Sequence, residues 1–302
     1  MKAAAIHEYG GPDVLKPVEV PTPQAGDGQI RVRIRAAGVQ PIDCAVRGGW
    51  KLPGLPETFP RVLGNEFAGV VDQVGEGVTG IAEGQEVLGF NTFDCYAEYI
   101  VVNPDQVTAK PPAMPWDVAG GFTAGTQTAH IALGQLAVGA GDTFVVHAAA
   151  GSVGAAAVQL ARLRGATVIG TAREANHDYL RSLGAIPVTY GPGLVDRVRA
   201  LAPGGVDAAL DGAGGEALTA SLDLVKDRDR ILTIADHGRA AELGVQTTRA
   251  ARSADRLAEL AGLYASGDLR VLIRNRYPLD RAADAHRDVE TRHGRGKVVL
   301  VV

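Results

Sequence analysis

Apolar and charged residues alternate through IRVRIRAAGV (30–39). This is the period-two pattern of a strand with one face buried and one face wet. Shorter runs of strand character follow at FAGVVDQVGEGV (67–78), EVLGF (86–90) and AEYIVV (97–102), separated by turn residues. Residues 1–115 are rich in Gly and Pro and carry almost no helical periodicity. This part of the chain predicts an all-β region of Greek-key or barrel type.

The pattern changes at Pro115. Residues 116–136 read as a helix with a proline opener. From residue 143 strands and helices alternate. Strands are expected at TFVV (143–146), TVIGTA (167–172), IPVTY (186–190), VDAALD (206–211) and RILTIA (230–235). Helices are expected at 153–164, 177–184, 194–201 and 216–225. Such alternation implies a parallel sheet with helices on both faces. A further amphipathic helix is expected at 253–267, and GKVVLVV (296–302) reads as a closing strand. There is no internal repeat and no low-complexity tract.

One turn in this second half carries candidate chemistry. After the strand TFVV comes Ala149-Ala150-Gly151-Ser152-Val153-Gly154. It keeps the second and third glycines of the dinucleotide fingerprint G-x-G-x-x-G and puts Ala149 in the place of the first. Alone, such a partial match fits any tight strand-to-helix turn. Its context favours a phosphate cradle: a buried-type strand before it, a helix of small residues after it, and a second strand beginning after Gly165. Gly151 lets the backbone approach a pyrophosphate, Gly154 lets the helix pack close to the strand, and the helix N–H groups meet the charge. Alanine suits position 149 if its φ is negative.

The end of the following strand reads Thr171-Ala172-Arg173. An acid there would accept the ribose 2′-hydroxyl of NAD. Arg173 is instead a fixed cation with a fork of donors suited to a phosphate, and His177 and Tyr190 lie on the next elements to close round it. This points to NADP; Glu174 favours NAD only if the strand runs longer.

Composition narrows the class. The chain has 302 residues, about two domains' worth. It is 46% hydrophobic and 21% charged, so it can bury a substantial core. A formal net charge of −4, with no basic patch, argues against nucleic acid. Two cysteines, Cys44 and Cys95, supply neither a disulfide framework nor a zinc cluster. The apolar run of MKAAAIHEYG stops at His7, too early for a signal peptide, and no run is long enough to span a membrane. A soluble, cytoplasmic protein is expected.

Several blocks in order resemble the zinc-independent quinone oxidoreductases of the medium-chain dehydrogenase/reductase superfamily. They include YGGPDVLK (9–16), AAGVQPIDCAVRGG (36–49), LGNEFAGVVDQVGEGV (63–78), GQEVLGF (84–90), YAEYIVV (96–102), the 145–154 stretch, RSLGA (181–185), VDAALDGAGG (206–215) and RGKVVLVV (295–302). The resemblance covers nearly the whole chain. It implies an α/β protein, with a β-rich GroES-like domain at 1–117 completed by 271–302 and a doubly wound Rossmann domain at 118–270. It also implies a homodimer, with RILTIA near the pairing edge of the nucleotide sheet.

The zinc-dependent branch of that superfamily would place a Cys ligand at position 40 and a His ligand at 65. This chain has Gln40 and Asn65, and carboxamides are poor zinc ligands. The segment from Gly89 to Tyr96 is too short for that branch's four-cysteine lobe. No metal is expected.

Without a Lewis acid, the best hydride acceptors are conjugated carbonyls, quinones or enones, because their charge delocalises onto an oxygen that hydrogen-bond donors can stabilise. The resemblance puts an Asn where Gln40 stands, near nicotinamide and substrate, and brings the Thr128 hydroxyl to the nicotinamide. Gln40 is one methylene longer than its counterpart. Lys297, opening the last strand, would reach the cofactor's phosphates or lie on the surface. Asp43 and Arg47 match the family pattern and read most simply as an ion pair or loop anchor. Trp50 and Phe93 can line a slot for a flat acceptor or merely pack, and His130 and His147 are expected beside the sheet. The expected activity is NADPH-dependent reduction of a small quinone or conjugated carbonyl. The alternatives are an enoyl or alkenal double-bond reductase and a non-catalytic NADP-binding protein.

Overall fold

The computed structural model describes residues 1–51, 57–292 and 294–302. The chain opens with β1 (Lys2–Ile6), β2 (Leu15–Glu19), β3 (Ile30–Val39), α1 (Pro41–Arg47), β4 (Arg61–Val62), β5 (Glu66–Val74), β6 (Glu86–Phe90), β7 (Tyr99–Val102), β8 (Val107–Ala109) and α2 (Trp116–Gly120). It continues through α3 (Thr123–Gln135), β9 (Thr143–Val146), α4 (Ser152–Leu163), β10 (Thr167–Ala172), α5 (His177–Leu183), β11 (Ile186–Thr189) and α6 (Leu194–Leu201). Then come β12 (Ala208–Asp211), α7 (Glu216–Leu224), β13 (Ile231–Thr233), α8 (His237–Leu243) and β14 (Gln246–Thr247). It closes with α9 (Ala254–Ala265), β15 (Ile273–Pro278), α10 (Ala282–Glu290) and β16 (Lys297–Val301). These elements form two compact units. One comprises Met1–Ala124, Ser253–Gly267 and Val271–Val302, the other Gly125–Arg252 and Asp268–Arg270.

The first unit is built on a seven-stranded sheet in the order β15-β16-β3-β5-β6-β8, with β7 also on β3, and a three-stranded sheet β2-β1-β4. The short apolar run that stops at His7 is β1 itself, paired antiparallel with β2. In β3 the alternation holds from Ile30 to Arg35 and stops at Ala36, beyond which every residue is buried. The apolar side chains of β3, β5 and β16 gather with Leu63, Tyr96 and Ile100 into one core. The strand expected at 97–102 begins only at Tyr99, because Ala97 bridges to Ala3 first. The helix expected at 116–136 is two helices. It breaks at Gly121-Phe122, where Phe122 turns inward and meets Tyr264 edge to face at 5.9 Å.

The second unit holds a six-stranded sheet in the order β11-β10-β9-β12-β13-β14, with all pairs parallel. Its central strands are buried on both faces, as helices on both sides require. The chain order switches at β9, which lies between β10 and β12, and ligands of such sheets sit beyond the strand C-termini at that point. RILTIA, as β13, lies near the edge of this sheet, one strand in: β14, too short to stand out as a periodic run, pairs with β13 and covers it.

Candidate active site

In the second unit, the candidate residues gather at the turn from β9 to α4. His147 N–H extends the strand pairing to Leu210 O (2.9 Å) and Ala149 N–H reaches Thr171 O (3.0 Å). The left-handed residue of this turn is Ala148 (φ 55°), not Ala149, so the conformation that would favour a glycine falls one position earlier than expected. Gly154 sits hard against it: a Cβ there would lie 2.4 Å from Ala148 O and 2.7 Å from Ala149 Cα. Gly151 differs, since its Cβ would meet only Ala148 O, at 3.3 Å. Protein packing therefore demands glycine at 154 but hardly at 151, which leaves space for something in front of 151. Gly151 is also the N-cap of α4, whose first turn has no side-chain cap, so the N–H groups around Ser152 and Val153 are available to an anion.

At the end of β10, strand pairing stops at Ala172 and Glu174 begins a short 3₁₀ turn. The acid thus stands beyond the strand rather than at its tip. Arg173 Nε donates to Tyr190 Oη (3.0 Å), and His177 Nε2 lies 3.5 Å from Thr189 Oγ1. Both contacts are at the surface. Arg197, from α6, holds the loop carrying Tyr190 by donating to Thr189 O, Gly191 O and Pro192 O. Beneath lie Thr171, buried, and His147, whose Nδ1 is 3.3 Å from Thr171 Oγ1. Burial pushes the His147 imidazole below its ordinary range, against the opposing field of Asp211. Asp211 itself serves the backbone, accepting from Ala213 and Gly214 N–H and from Thr233 Oγ1.

In the first unit, Gln40 is the N-cap of α1. Its side chain accepts from Asp43 N–H while Asp43 accepts from Gln40 N–H (2.8 Å), a reciprocal box with Pro41 at the first helical position. Gln40 Nε2 donates to Glu66 Oε1 (2.5 Å), and Glu66 Oε2 accepts from Ala124 N–H (2.6 Å). Gly38 makes room for this carboxylate, since a Cβ there would fall 2.0 Å from Glu66 Oε1. Asp43 also accepts from Asn65 Nδ2 (3.0 Å) and Tyr96 Oη (2.9 Å). Burial pushes the Asp43 carboxyl up to about 6, although its hydrogen bonds and the charge of Lys297 pull the other way.

Lys297 is not on the surface: it is 2% exposed and its ammonium faces Glu66. Asp43 and Arg47 do not pair with each other. Arg47 binds Glu290 and Gly10 O (3.1 Å), so each anchors the α1 segment to a different place. Phe93 packs against the core with the Arg61 guanidinium 5.3 Å above its ring, while Trp50 is 43% exposed. Thr128 lies half-buried on α3 in the second unit, and Gln40 belongs to the first. Tyr96 and His286, both buried in the first unit, were not singled out from the sequence. Neither belongs to a spaced motif, and only their polarity inside apolar surroundings distinguishes them.

Residues 26–124 match the alcohol dehydrogenase GroES-like domain, and residues 183–300 match the zinc-binding dehydrogenase domain. The quinone oxidoreductase from Coxiella burnetii superimposes with a TM-score of 0.91 at 33% identity, covering 100% of this chain and 99% of that one. The Escherichia coli quinone oxidoreductase complexed with NADPH gives a TM-score of 0.88 at 27% identity over 100% of both chains. The Streptomyces venezuelae pikromycin polyketide synthase component PikAII is 35% identical over 92% of this chain and 8% of its own length. Fold and site together define an NAD(P)-dependent oxidoreductase of two units, one GroES-like and one Rossmann-like. Within that class, the chain belongs to the quinone oxidoreductase-like family of the medium-chain dehydrogenase/reductase superfamily.

Proposed function

We propose that the protein is an NADPH-dependent, zinc-independent reductase of quinones or other conjugated carbonyls. The observation that carries the choice of cofactor is the Arg173–Tyr190 pair at the tip of β10, with no acid at that tip. A guanidinium placed there matches a 2′-phosphate. Gly151 and the uncapped start of α4 fit a pyrophosphate, and Ala149, Ala150, Ser152, Val153 and Gly154 complete the turn round it. Thr171 underlies the ribose end, with His177 and Tyr190 beside it. When bound, the dinucleotide supplies the hydride, and negative charge develops on the acceptor's oxygen. Gln40 is held for that charge: Glu66 engages one of its two amide hydrogens, leaving the second to donate. Thr128 orients the nicotinamide through its hydroxyl. Lys297 contributes through Glu66, which it holds in place.

The carboxamides Gln40 and Asn65, tied to Glu66 and Asp43, do not fit a zinc centre. This favours an acceptor that delocalises its own charge over a simple ketone. The likeness to a polyketide synthase segment supports a second reading, reduction of a conjugated carbon–carbon double bond in a biosynthetic pathway. Following NADPH absorbance with a quinone and with an enone separates the two by product, a hydroquinone or a saturated carbonyl. Absence of oxidation with either overturns the proposal. We further propose a homodimer, because β14 lies at one end of the nucleotide sheet with β13 as its sheet neighbour; a monomer by light scattering at micromolar concentration would refute it. Among the described residues no helix is long and apolar enough to cross a membrane.

A further inference from the structure

A line of buried polar side chains runs through the first unit to Asp43. Arg47 Nη1 lies 3.4 Å from His286 Nδ1, His286 Nε2 lies 3.3 Å from Tyr96 Oη, and Tyr96 Oη donates to Asp43 Oδ2 at 2.9 Å. All four are buried. The direction of every bond follows from chemistry. A guanidinium only donates, so His286 Nδ1 must accept, and the ring hydrogen sits on Nε2. That N–H donates to the tyrosine oxygen, and the tyrosine proton goes to the carboxylate. The imidazole is neutral: burial and the Arg47 charge push it down to about 3. Arg47 is itself fixed by Glu290 and Gly10 O.

The line ends on the carboxylate that also receives Gln40 N–H and Asn65 Nδ2. Three separate pieces of chain thus meet there, the start of α1, the 64–66 segment and the approach to β7, and α10 joins them through Tyr96. Burying this much polarity is no economical way to pack a core, where apolar residues of similar volume do as well. What it adds is orientation, because every donor and acceptor has one assigned partner.

We propose that His286 is a positioning residue for the Gln40 amide, acting through Tyr96 and Asp43, with Arg47 setting its tautomer. This rests on the reading of Gln40 as donor to the acceptor's oxygen. The C-terminal segment therefore does more than complete the sheet. Its helix α10 supplies the imidazole that holds the Tyr96 hydroxyl, Tyr96 holds the Asp43 carboxylate, and the Asp43–Gln40 box holds the amide.

The test combines one measurement independent of activity with one dependent on it. In ¹⁵N-histidine-labelled protein, the His286 signal, assigned by its loss in His286→Gln, should report a neutral ring protonated on Nε2 at neutral pH. An Nδ1–H tautomer or a charged ring overturns the proposal. In Tyr96→Phe the Gln40 side-chain amide resonance should move, kcat should fall about 10-fold, as loss of one hydrogen bond to a charged group predicts, and KM for NADPH should hold. His286→Leu should repeat this loss. His286→Gln, which can accept from Arg47 and donate to Tyr96, should keep kcat within about 3-fold of the parent, a small part of that loss. If Tyr96→Phe and His286→Leu leave kcat and the Gln40 resonance unchanged, the positioning role is wrong. It is equally wrong if kcat and NADPH binding fall together with melting temperature. Should the parent protein reduce neither quinone nor enone, the catalytic reading fails alone, and the tautomer and the Gln40 resonance still decide whether the line of bonds exists.

Discussion

Lys297 Nζ stands 2.5 Å from Glu66 Oε1, deep in the first unit, as a charge contact set off the angle of a hydrogen bond. The same oxygen accepts from Gln40, so a lysine that opens the last strand is coupled to the N-cap of the first helix. Removing one partner of a buried pair strands the other charge. Lys297→Met should therefore cost about 3–5 kcal/mol of stability, and adding Glu66→Gln should recover part of it. Denaturant unfolding of the two variants measures this. Equal stability of Lys297→Met and parent would mean that the pair is solvated.

Arg173→Ala should raise KM for NADPH by about 10- to 100-fold, the equivalent of one charge-assisted hydrogen bond. KM for NADH should barely move, because NADH has no 2′-phosphate. Maximal rate at saturating NADPH should also hold, since the contact is the same in ground and transition states. Arg173→Asp should go further and favour NADH. Steady-state kinetics with both cofactors distinguishes the outcomes, and equal losses for the two would make Arg173 structural.

Gly154→Ala should destabilise the second unit by about 1–3 kcal/mol, the usual range for overpacking, because the new methyl would meet Ala148 O at 2.4 Å. Gly151→Ala has more room and should leave melting nearly unchanged while weakening NADPH binding. Thermal melts and a fluorescence titration separate the two effects. If both glycines prove equally costly to fold, Gly151 has a packing role after all.

Acid should unfold the protein through its buried histidines. His286 titrates at about 3 in the fold and near 6.5 when unfolded, and His147 is also pushed down. Below pH 6.5 the unfolded chain takes up protons that the fold refuses, so stability falls with pH, by about 1.4 kcal/mol per unit for each histidine. Asp43 opposes this between about 6 and 3.8, because its raised carboxyl binds a proton more readily in the fold. One carboxyl against two imidazoles leaves a net loss on acidification. His286→Gln should flatten the slope of stability against pH between 6.5 and 4; an unchanged slope would show that His286 does not titrate as described.

Elemental analysis of tag-free protein should find no stoichiometric zinc, and chelators should leave activity intact. One equivalent of zinc, with activity lost on chelation, would overturn the argument from Gln40 and Asn65.

Much of the architecture was legible because its causes are local. TFVV, TVIGTA and the helix at 194–201 lie where apolar runs and turn residues put them, since strand and helix periods are set by adjacent backbone geometry. The glycines of the β9–α4 turn and Arg173 could be found in the same way, by their offset from a strand end. Elements without that contrast were missed. Helix α10 buries only Ala282, Ala285 and His286, too weak a stripe to read. Helix α1 is one short run whose start, Gln40-Pro41 with Asp43 at its third position, announces a cap rather than an apolar face. Tertiary structure alone decided which polar groups meet. Asp43 and Tyr96 are 53 residues apart and Tyr96 and His286 190, and a hydrogen bond leaves no periodic trace in either segment. It also decided that Lys297 turns inward, that β14 covers β13, and that the left-handed residue of the turn is Ala148 rather than Ala149. Each depends on what packs alongside, which no window of neighbouring residues contains.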